Sequence, residues 1–199
     1  MKIGLFILIG IVLGYIVKWM VNWLAIDNFI MSRKNFFLEA VGAIMVTWSA
    51  VNLGIEEAII FSIIALTLAG ISVIDFHTFE IPLIFIIIGV VASIAGIFLK
   101  VILLSSAFWG IFVGALIPMA IMLIMWGITK RQGMGYGDIQ LGIVLGAWLG
   151  PMRMALTLFG ASLLSLLAWL GVSLFKGFDK DRAVPVSYTH LRAHETAQY

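Results

Sequence analysis

Long apolar runs, separated by short polar or glycine-containing breaks, follow one another along most of the chain. One helix needs about 20 predominantly apolar residues to cross a bilayer core. The runs therefore predict an all-α fold, a polytopic integral membrane helix bundle of about seven spans. The sixth span is short and ends at Gly150-Pro151, a pair that interrupts helices. The predicted spans cover residues 3–26, 37–54, 57–74, 82–104, 106–128, 138–150 and 152–175.

The composition favours a membrane protein over a soluble one. Hydrophobic residues make up 63% of the 199 residues and charged residues 11%, whereas a soluble domain is about 25% charged. The chain has no cysteine, which excludes disulfides, thiolate metal sites and a cysteine nucleophile. No metal or other cofactor is predicted. The net charge of +2 comes from dispersed basic residues, so the lipid bilayer, and not nucleic acid, is the expected partner.

The basic residues predict the orientation of the chain in the membrane. Cytoplasmic connections carry an excess of Lys and Arg. If the first connection is cytoplasmic, that side receives seven basic residues and the other side three. The N-terminus is then outside, and the segments after Ile74 and before Asp138 lie at the cytoplasmic face. The seven are Arg33, Lys34, Lys130, Arg131, Lys176, Lys180 and Arg182, and the three are Lys2, Lys100 and Arg153.

The last residues of the chain differ from the rest. Residues 186–199 read "VSYTHLRAHETAQY", which is polar and aperiodic. The segment resembles translated adapter or vector sequence, and it is interpreted as a non-native tail and not as a disordered native one. His190 and His194 would otherwise suggest a metal site, but they are excluded from functional reasoning on this ground.

Two of the ten acidic residues stand out by their positions. Asp75 and Asp138 each adjoin a long apolar run at a predicted helix end. Carboxylates at membrane depth are energetically costly, and function is the default hypothesis for them. Both acids lie at the same predicted membrane face. Two carboxylates that share one water can act as an aspartic protease, in which one is ionised and the other protonated.

Each acid also has an ordinary structural interpretation. The segment "GMGYGDIQL", residues 133–141, brings three glycines close to Asp138. It can equally be a flexible turn in which the aspartate caps a helix. Asp75 can be an interfacial acid that ends a span, and His77 is interpreted as an ordinary polar loop residue. Pro82 is expected to begin the fourth span at its first helical turn.

Both aspartate segments carry a family resemblance. "GMGYGDIQLGIVLGAWLG" resembles the Gly-x-Gly-Asp segment of the type IV prepilin peptidases. "VIDFHTFEIP", residues 73–82, resembles their other aspartate segment. The resemblance covers about residues 57–175, and it divides the chain into N-terminal spans (1–56), a peptidase core (57–185) and the tail (186–199).

The resemblance implies an activity and a site. Asp75 and Asp138 would be the catalytic acids of an aspartic endopeptidase, with backbone support from Gly135, Gly137 and Pro82. The glycines would let the segment before Asp138 pass close to a substrate backbone. The substrate would be the leader of a type IV prepilin or pseudopilin, cleaved at the cytoplasmic face of the bacterial inner membrane. The oligomeric state is left open.

The chain departs from the family pattern in several places, which include Leu83, where members often have an acid, and Gln140, where many have a lysine. Bacterial members often carry a large cytoplasmic insertion with paired zinc-binding cysteines after the first span. Here the first connection, about residues 27–36, is short and lacks cysteine, so N-methyltransferase activity is left open. "NFFLEAVGAIM" resembles the segment after that insertion, with Glu39 in the matching place. A further span is expected after "RAVP", so the chain is interpreted as truncated there.

Two other functions share some of these features. A presenilin-like intramembrane protease would use the same chemistry, but it carries Tyr-Asp at the first acid, whereas this chain has Ile74-Asp75. It also carries a Pro-Ala-Leu segment, which is not found here. A small proton-coupled transporter or channel could use the acids as a relay. It would need polar residues along several spans, and spans four and five offer little beyond Ser93, Ser105 and Ser106.

Overall fold

The computed structural model describes residues 2–129 and 135–176, and this part of the chain folds into six α-helices. The expected all-α fold is confirmed. A short 3₁₀ helix, Ile26–Asn28, follows the first helix. The six helices are α1 (Lys2–Leu24), α2 (Phe37–Asn52), α3 (Ile55–Thr78), α4 (Leu83–Phe98), α5 (Leu104–Thr129) and α6 (Tyr136–Lys176). The predicted tail, residues 186–199, lies outside the described residues.

The predicted count of seven separate spans is not confirmed. Four helices, α1, α3, α5 and α6, are long and apolar enough to cross a membrane, whereas α2 and α4 are shorter apolar helices. The sixth and seventh predicted spans both lie within α6, whose 41 residues comprise two helical segments that meet at Gly150. The break at Gly150-Pro151 is present, because Gly150 has a non-helical backbone (φ 73°, ψ 175°). Helical geometry resumes at once after it, since proline's fixed φ suits the first turn of a helix.

The described part of the chain forms two compact units, which divide between Leu104 and Ser105. In the first unit α3 is the central helix, with α1, α2 and α4 packed against it. Half of its most apolar stretch is buried, a larger share than in the other long helices. Buried aliphatic and aromatic side chains of α3 and α4, such as Ile64, Ile74 and Phe85, form the core around it. Packing in this core therefore holds the C-terminal end of α3 in place within the unit.

Helices α1 and α2 approach each other closely because glycines face each other. A methyl group on Gly10 would lie 2.4 Å from the carbonyl oxygen of Gly42, and one on Gly14 would lie 2.2 Å from that of Leu38. Small residues at such contacts let helix backbones pack against each other in a membrane. The antiparallel pair α1–α2 is thereby brought close enough for side chains on α1 to reach the start of α2.

Candidate functional site

Asp75 lies in the last turn of α3, and its side chain is partly exposed. Its backbone carbonyl accepts a hydrogen bond from the N–H of Phe79 at 2.9 Å. Phe79 has a left-handed conformation (φ 56°), which ends the helix. The helix cannot resume immediately, because Pro82 disfavours a helical backbone at Ile81. The sequence after Asp75 thus fixes the acid at a helix C-terminus.

Pro82 was expected in the first turn of the fourth helix, but it lies just before that helix. It is buried, has an extended backbone (φ −67°, ψ 128°) and occupies the cap position before α4, which begins at Leu83. Its carbonyl accepts a hydrogen bond from the N–H of Phe85 at 3.1 Å. Pro82 therefore shapes the turn that follows Asp75, and its part in a catalytic site stays a prediction.

The sequence suggested that His77 is a loop residue, but the structure places it in the last turn of α3. Its Nδ1 is 2.8 Å from the carbonyl oxygen of Val73. Its ring stacks on the ring of Phe29, with centroids 4.1 Å apart and planes inclined by 23°. Phe29 belongs to the connection between α1 and α2, residues 25–36, which we call the strap. The strap thus lies beside the helix end that carries Asp75.

Asn22 of α1 fastens the middle of the strap. Its Oδ1 accepts a hydrogen bond from the N–H of Met31 at 2.7 Å, and its Nδ2 donates to the Met31 carbonyl at 3.4 Å. The Met31 side chain is buried, with 4% of its surface exposed. One side chain therefore satisfies both backbone groups of a strap residue, as buried polar groups require.

Lys18 of α1 fastens the last part of the strap, and sequence reasoning missed it. Its ammonium donates to Glu39 Oε1 at 2.9 Å, to the Arg33 carbonyl at 3.4 Å and to the Asn35 carbonyl. The side chains of Lys18 and Glu39 are only 4% and 9% exposed. A lone lysine inside the first apolar run was the available signal, because a charge within a span requires a partner.

Asp138 is the third residue of α6 and is partly exposed. Its Oδ2 accepts a hydrogen bond from the N–H of Gly135 at 3.2 Å. This contact, from the third helical residue back to the residue before the helix, is one half of a capping box. Asp138 therefore helps to cap its own helix, but from the third helical position and not from the N-cap position that the structural interpretation gave it. This capping contact is compatible with a further, chemical role. Gly137 is the second residue of α6 and is partly exposed.

The first half of α6 is held to α5 by backbone contact. A methyl group on Gly110 would lie 1.9 Å from the carbonyl oxygen of Gly146, and one on Gly114 would lie 2.0 Å from that of Gly142. Gly142 is four residues beyond Asp138, so one turn separates the acid from the first of these contacts. The position of Asp138 along α5 is thereby set by glycine packing.

A further cavity lies away from Asp75. A cavity of about 360 Å³ lies at the end of the N-terminal unit where α3 begins, the opposite end of that helix from Asp75, and is lined by Gly54, Ile55, Glu56, Glu57, Leu99, Lys100 and Val101. Within residues 2–129 and 135–176, no group of three or more His, Asp or Glu residues could hold a metal ion.

Comparison with known sequences identifies the family. The profile of the type IV leader peptidase family matches residues 59–170, more than half of the chain. This match contains both Asp75 and Asp138. The chain belongs to the type IV leader peptidase family. The resemblance carried by the two aspartate segments is thereby confirmed, whereas the assignment of the two acids as a catalytic pair stays a prediction.

Relatives with curated names agree with this placement. Proteins named prepilin leader peptidase/N-methyltransferase match from Dichelobacter nodosus (33% identity over 90 residues), Pseudomonas aeruginosa (31% over 101) and Stutzerimonas stutzeri (30% over 101). The matches cover 45%, 51% and 51% of this chain. They span only 30%, 33% and 33% of the relatives' own lengths. No solved structure matches the chain.

Proposed function

We propose that the protein is a membrane-embedded aspartic endopeptidase that removes the leader peptide of type IV prepilins or pseudopilins. Asp75 and Asp138 are its catalytic acids. The observation that carries the proposal is the family match over residues 59–170, a segment that contains both acids. Each of the two lies within one turn of a helix terminus and is partly exposed, so water could reach both.

The chemistry requires two carboxylates in different protonation states. The ionised carboxylate takes a proton from a water molecule, and the resulting hydroxyl attacks the scissile carbonyl of the leader. The tetrahedral intermediate then breaks its C–N bond, and the leaving amine takes the proton that this carboxylate had accepted. The protonated carboxyl donates a hydrogen bond to that carbonyl oxygen and stabilises the negative charge that develops on it. Two neighbouring carboxylates reach this state because their repulsion prevents both from being ionised.

The helix ends distinguish the two acids. Asp138 is at the N-terminus of α6, where free N–H groups and the positive end of the helix dipole favour a negative charge. Asp75 is at the C-terminus of α3, where carbonyl groups and the negative end of the dipole oppose one. We therefore assign Asp138 as the ionised carboxylate that takes a proton from water. Asp75 is the protonated carboxyl that donates a hydrogen bond to the scissile carbonyl.

The proposal places the reaction at the cytoplasmic face of the membrane. The strap, which carries the exposed basic residues Arg33 and Lys34, lies at the same end of the N-terminal unit as Asp75. Basic residues in short connections mark the cytoplasmic side. This supports a cytoplasmic position of Asp75, and a prepilin leader would be cleaved as it emerges on that side.

The decisive experiment is leader cleavage by the purified protein. The detergent-solubilised or liposome-embedded protein is mixed with a purified prepilin, and the expected result is a shortened product whose new N-terminus marks one cleavage site. An intact prepilin after incubation with well-folded protein would contradict the proposed activity.

The pairing of the two acids can be tested without any substrate. Because the chain contains no cysteine, the double variant Asp75→Cys/Asp138→Cys carries the only two thiols. A short bifunctional thiol reagent is expected to join them within one molecule and change its electrophoretic mobility. The matched pair Glu57→Cys/Asp138→Cys serves as the control, since Glu57 is an exposed acid at the opposite end of α3 from Asp75. Equal cross-linking of both pairs, or of neither, would count against a shared water.

A further inference from the structure

The buried charges of the N-terminal unit have no part in the proposed chemistry. Lys18 and Glu39 form an ion pair that the core nearly encloses. Glu39 Oε2 is also buried, and it has no hydrogen-bond partner in the part of the chain that the structure describes. Replacing a buried ion pair by apolar side chains of similar volume is often neutral or stabilising. Fold stability is therefore a poor explanation for this pair.

The contacts of Lys18 indicate what the pair holds instead. An ammonium group has three donors, and here they face one carboxylate oxygen and the carbonyl oxygens of Arg33 and Asn35. Two of its three partners are thus strap backbone. Glu39 lies in the first turn of α2, where it neutralises the ammonium and holds it beneath those carbonyls.

The other end of the strap reaches the proposed site. Phe29 stacks on His77, which lies two residues from Asp75 in the same helical turn. Between this stack and Lys18, Asn22 fixes both backbone groups of Met31. The strap is therefore held at two points by α1 and presents one aromatic ring to the end of α3.

We infer that Lys18 and Glu39 are positioning residues that hold the strap so that Phe29 packs on His77 and fixes the α3 end that carries Asp75. This inference rests on the proposed function for its catalytic part, but the fastening of the strap stands independently of it. Neither side chain touches the substrate. Their loss is expected to lower kcat per folded molecule, since small displacements of a reacting group are costly to the rate, and to leave KM nearly unchanged.

The principal variant is Lys18→Met/Glu39→Met, because it removes both charges at once. Lys18→Met alone would leave an uncompensated buried carboxylate and could prevent folding. Asn22→Leu is a second variant, which releases Met31 without changing any charge. Lys34→Met is the matched control, since it removes an exposed cation from the strap itself.

The first measurement reports strap opening and needs no activity. Met31→Cys places a single thiol at a buried strap position in a chain that otherwise has none. A small charged thiol reagent is expected to label this thiol slowly in the parent background and in Lys34→Met. Labelling should accelerate by roughly tenfold in the double-Met and Asn22→Leu backgrounds, since removing buried hydrogen-bond partners frees the segment.

The second measurement is prepilin cleavage, normalised to folded protein. The double-Met variant is expected to lose about 10- to 100-fold in kcat. Phe29→Ala should lose a similar factor, Phe29→Tyr should keep most of the activity because it keeps the stack, and combining Phe29→Ala with the double-Met change should add little. A merely structural role would instead lower the amount of folded protein and leave kcat per folded molecule unchanged.

The outcomes separate the two proposals. Equal labelling of the Met31→Cys thiol in the parent and double-Met backgrounds would overturn the fastening of the strap. Faster labelling with unchanged kcat would overturn the positioning role. A parent protein that protects this thiol in a Lys18-dependent manner but cleaves no prepilin would refute the proposed function and leave the strap standing.

Discussion

Asp75 and Asp138 both lie at helix termini, but different kinds of contact hold the structure around them: side-chain contacts near Asp75 and backbone contacts near Asp138. Near Asp75, the contacts are made by polar and aromatic side chains. Lys18 and Asn22 of α1 hold the strap, and the strap contacts His77 in the same helical turn as Asp75. Around Asp138, the nearest fixed structure is glycine backbone, where Gly142 and Gly146 of α6 meet Gly114 and Gly110 of α5.

The difference affects how each region responds to change. A side-chain network fails in steps, because one hydrogen bond can be removed while neighbouring contacts persist. Direct backbone contact tolerates almost nothing, since an added methyl group must push two helices apart. We therefore expect graded effects on the Asp75 side and abrupt effects at the α5–α6 contact.

The largest expected effect comes from the acids themselves. Asp75→Asn and Asp138→Asn should each lower prepilin cleavage by at least about 10³-fold, because members of a catalytic unit cannot replace each other. The amount of protein in the membrane should not change. Asp27→Asn is the control, since Asp27 is an exposed acid with φ 48°, a conformation that asparagine also adopts.

These three variants also test whether the comparison concerns one site. Near-full cleavage by Asp75→Asn would remove Asp75 from the chemistry, and the strap would then have no catalytic consequence. Equal loss in Asp27→Asn would mean that any charge change in this region impairs the enzyme. Cleavage is measured as product formed per folded molecule, with the folded fraction taken from size-exclusion chromatography.

Much of the fold could be predicted from hydrophobic pattern alone. The apolar runs predicted an all-helical chain, and the Gly150-Pro151 pair predicted the break in α6, because both are local properties of the sequence. The number of separate spans was not predictable in this way. Whether a Gly-Pro pair separates two helices or kinks one depends on packing around it.

The sequence predicted which acids belong to the candidate site, but it did not predict the tertiary contacts around them. Asp75 and Asp138 stood out because an acid next to an apolar run is unusual. The strap was not foreseen, because it depends on contacts between residues far apart in sequence, such as Lys18 with Glu39 and Phe29 with His77. The burial of Lys18 could have been suspected, but its partner could not have been chosen from among ten acids.

A second, smaller effect is expected at the α5–α6 contact. A methyl group on Gly146 would lie 2.2 Å from the carbonyl oxygen of Gly110, so Gly146→Ala should destabilise the protein by about 1–3 kcal/mol. Gly160→Ala in the same helix meets no atom within 4 Å in the part of the chain that the structure describes, and it should be neutral or stabilising by up to about 1 kcal/mol. Thermal or denaturant unfolding in detergent measures both. Equal stability of the two variants would disprove the abrupt response expected of backbone contact.

The smallest expected effect is at Gly135. A substitution there distinguishes an effect on folding from an effect on substrate binding. Among the described residues, a methyl group there would meet only Asp138 Oδ2 at 3.5 Å and the Gly137 nitrogen at 3.9 Å, which are ordinary contacts. The described chain thus accommodates alanine at this position. If the segment passes close to the leader backbone, Gly135→Ala should raise KM by roughly tenfold and leave kcat and the unfolding midpoint nearly unchanged. Gly54→Ala is the matched control, because Gly54 also precedes a helix and no described atom lies within 4 Å of an added methyl group. A KM that rises equally in both variants, or in neither, would show that the glycine before α6 does not contact the substrate.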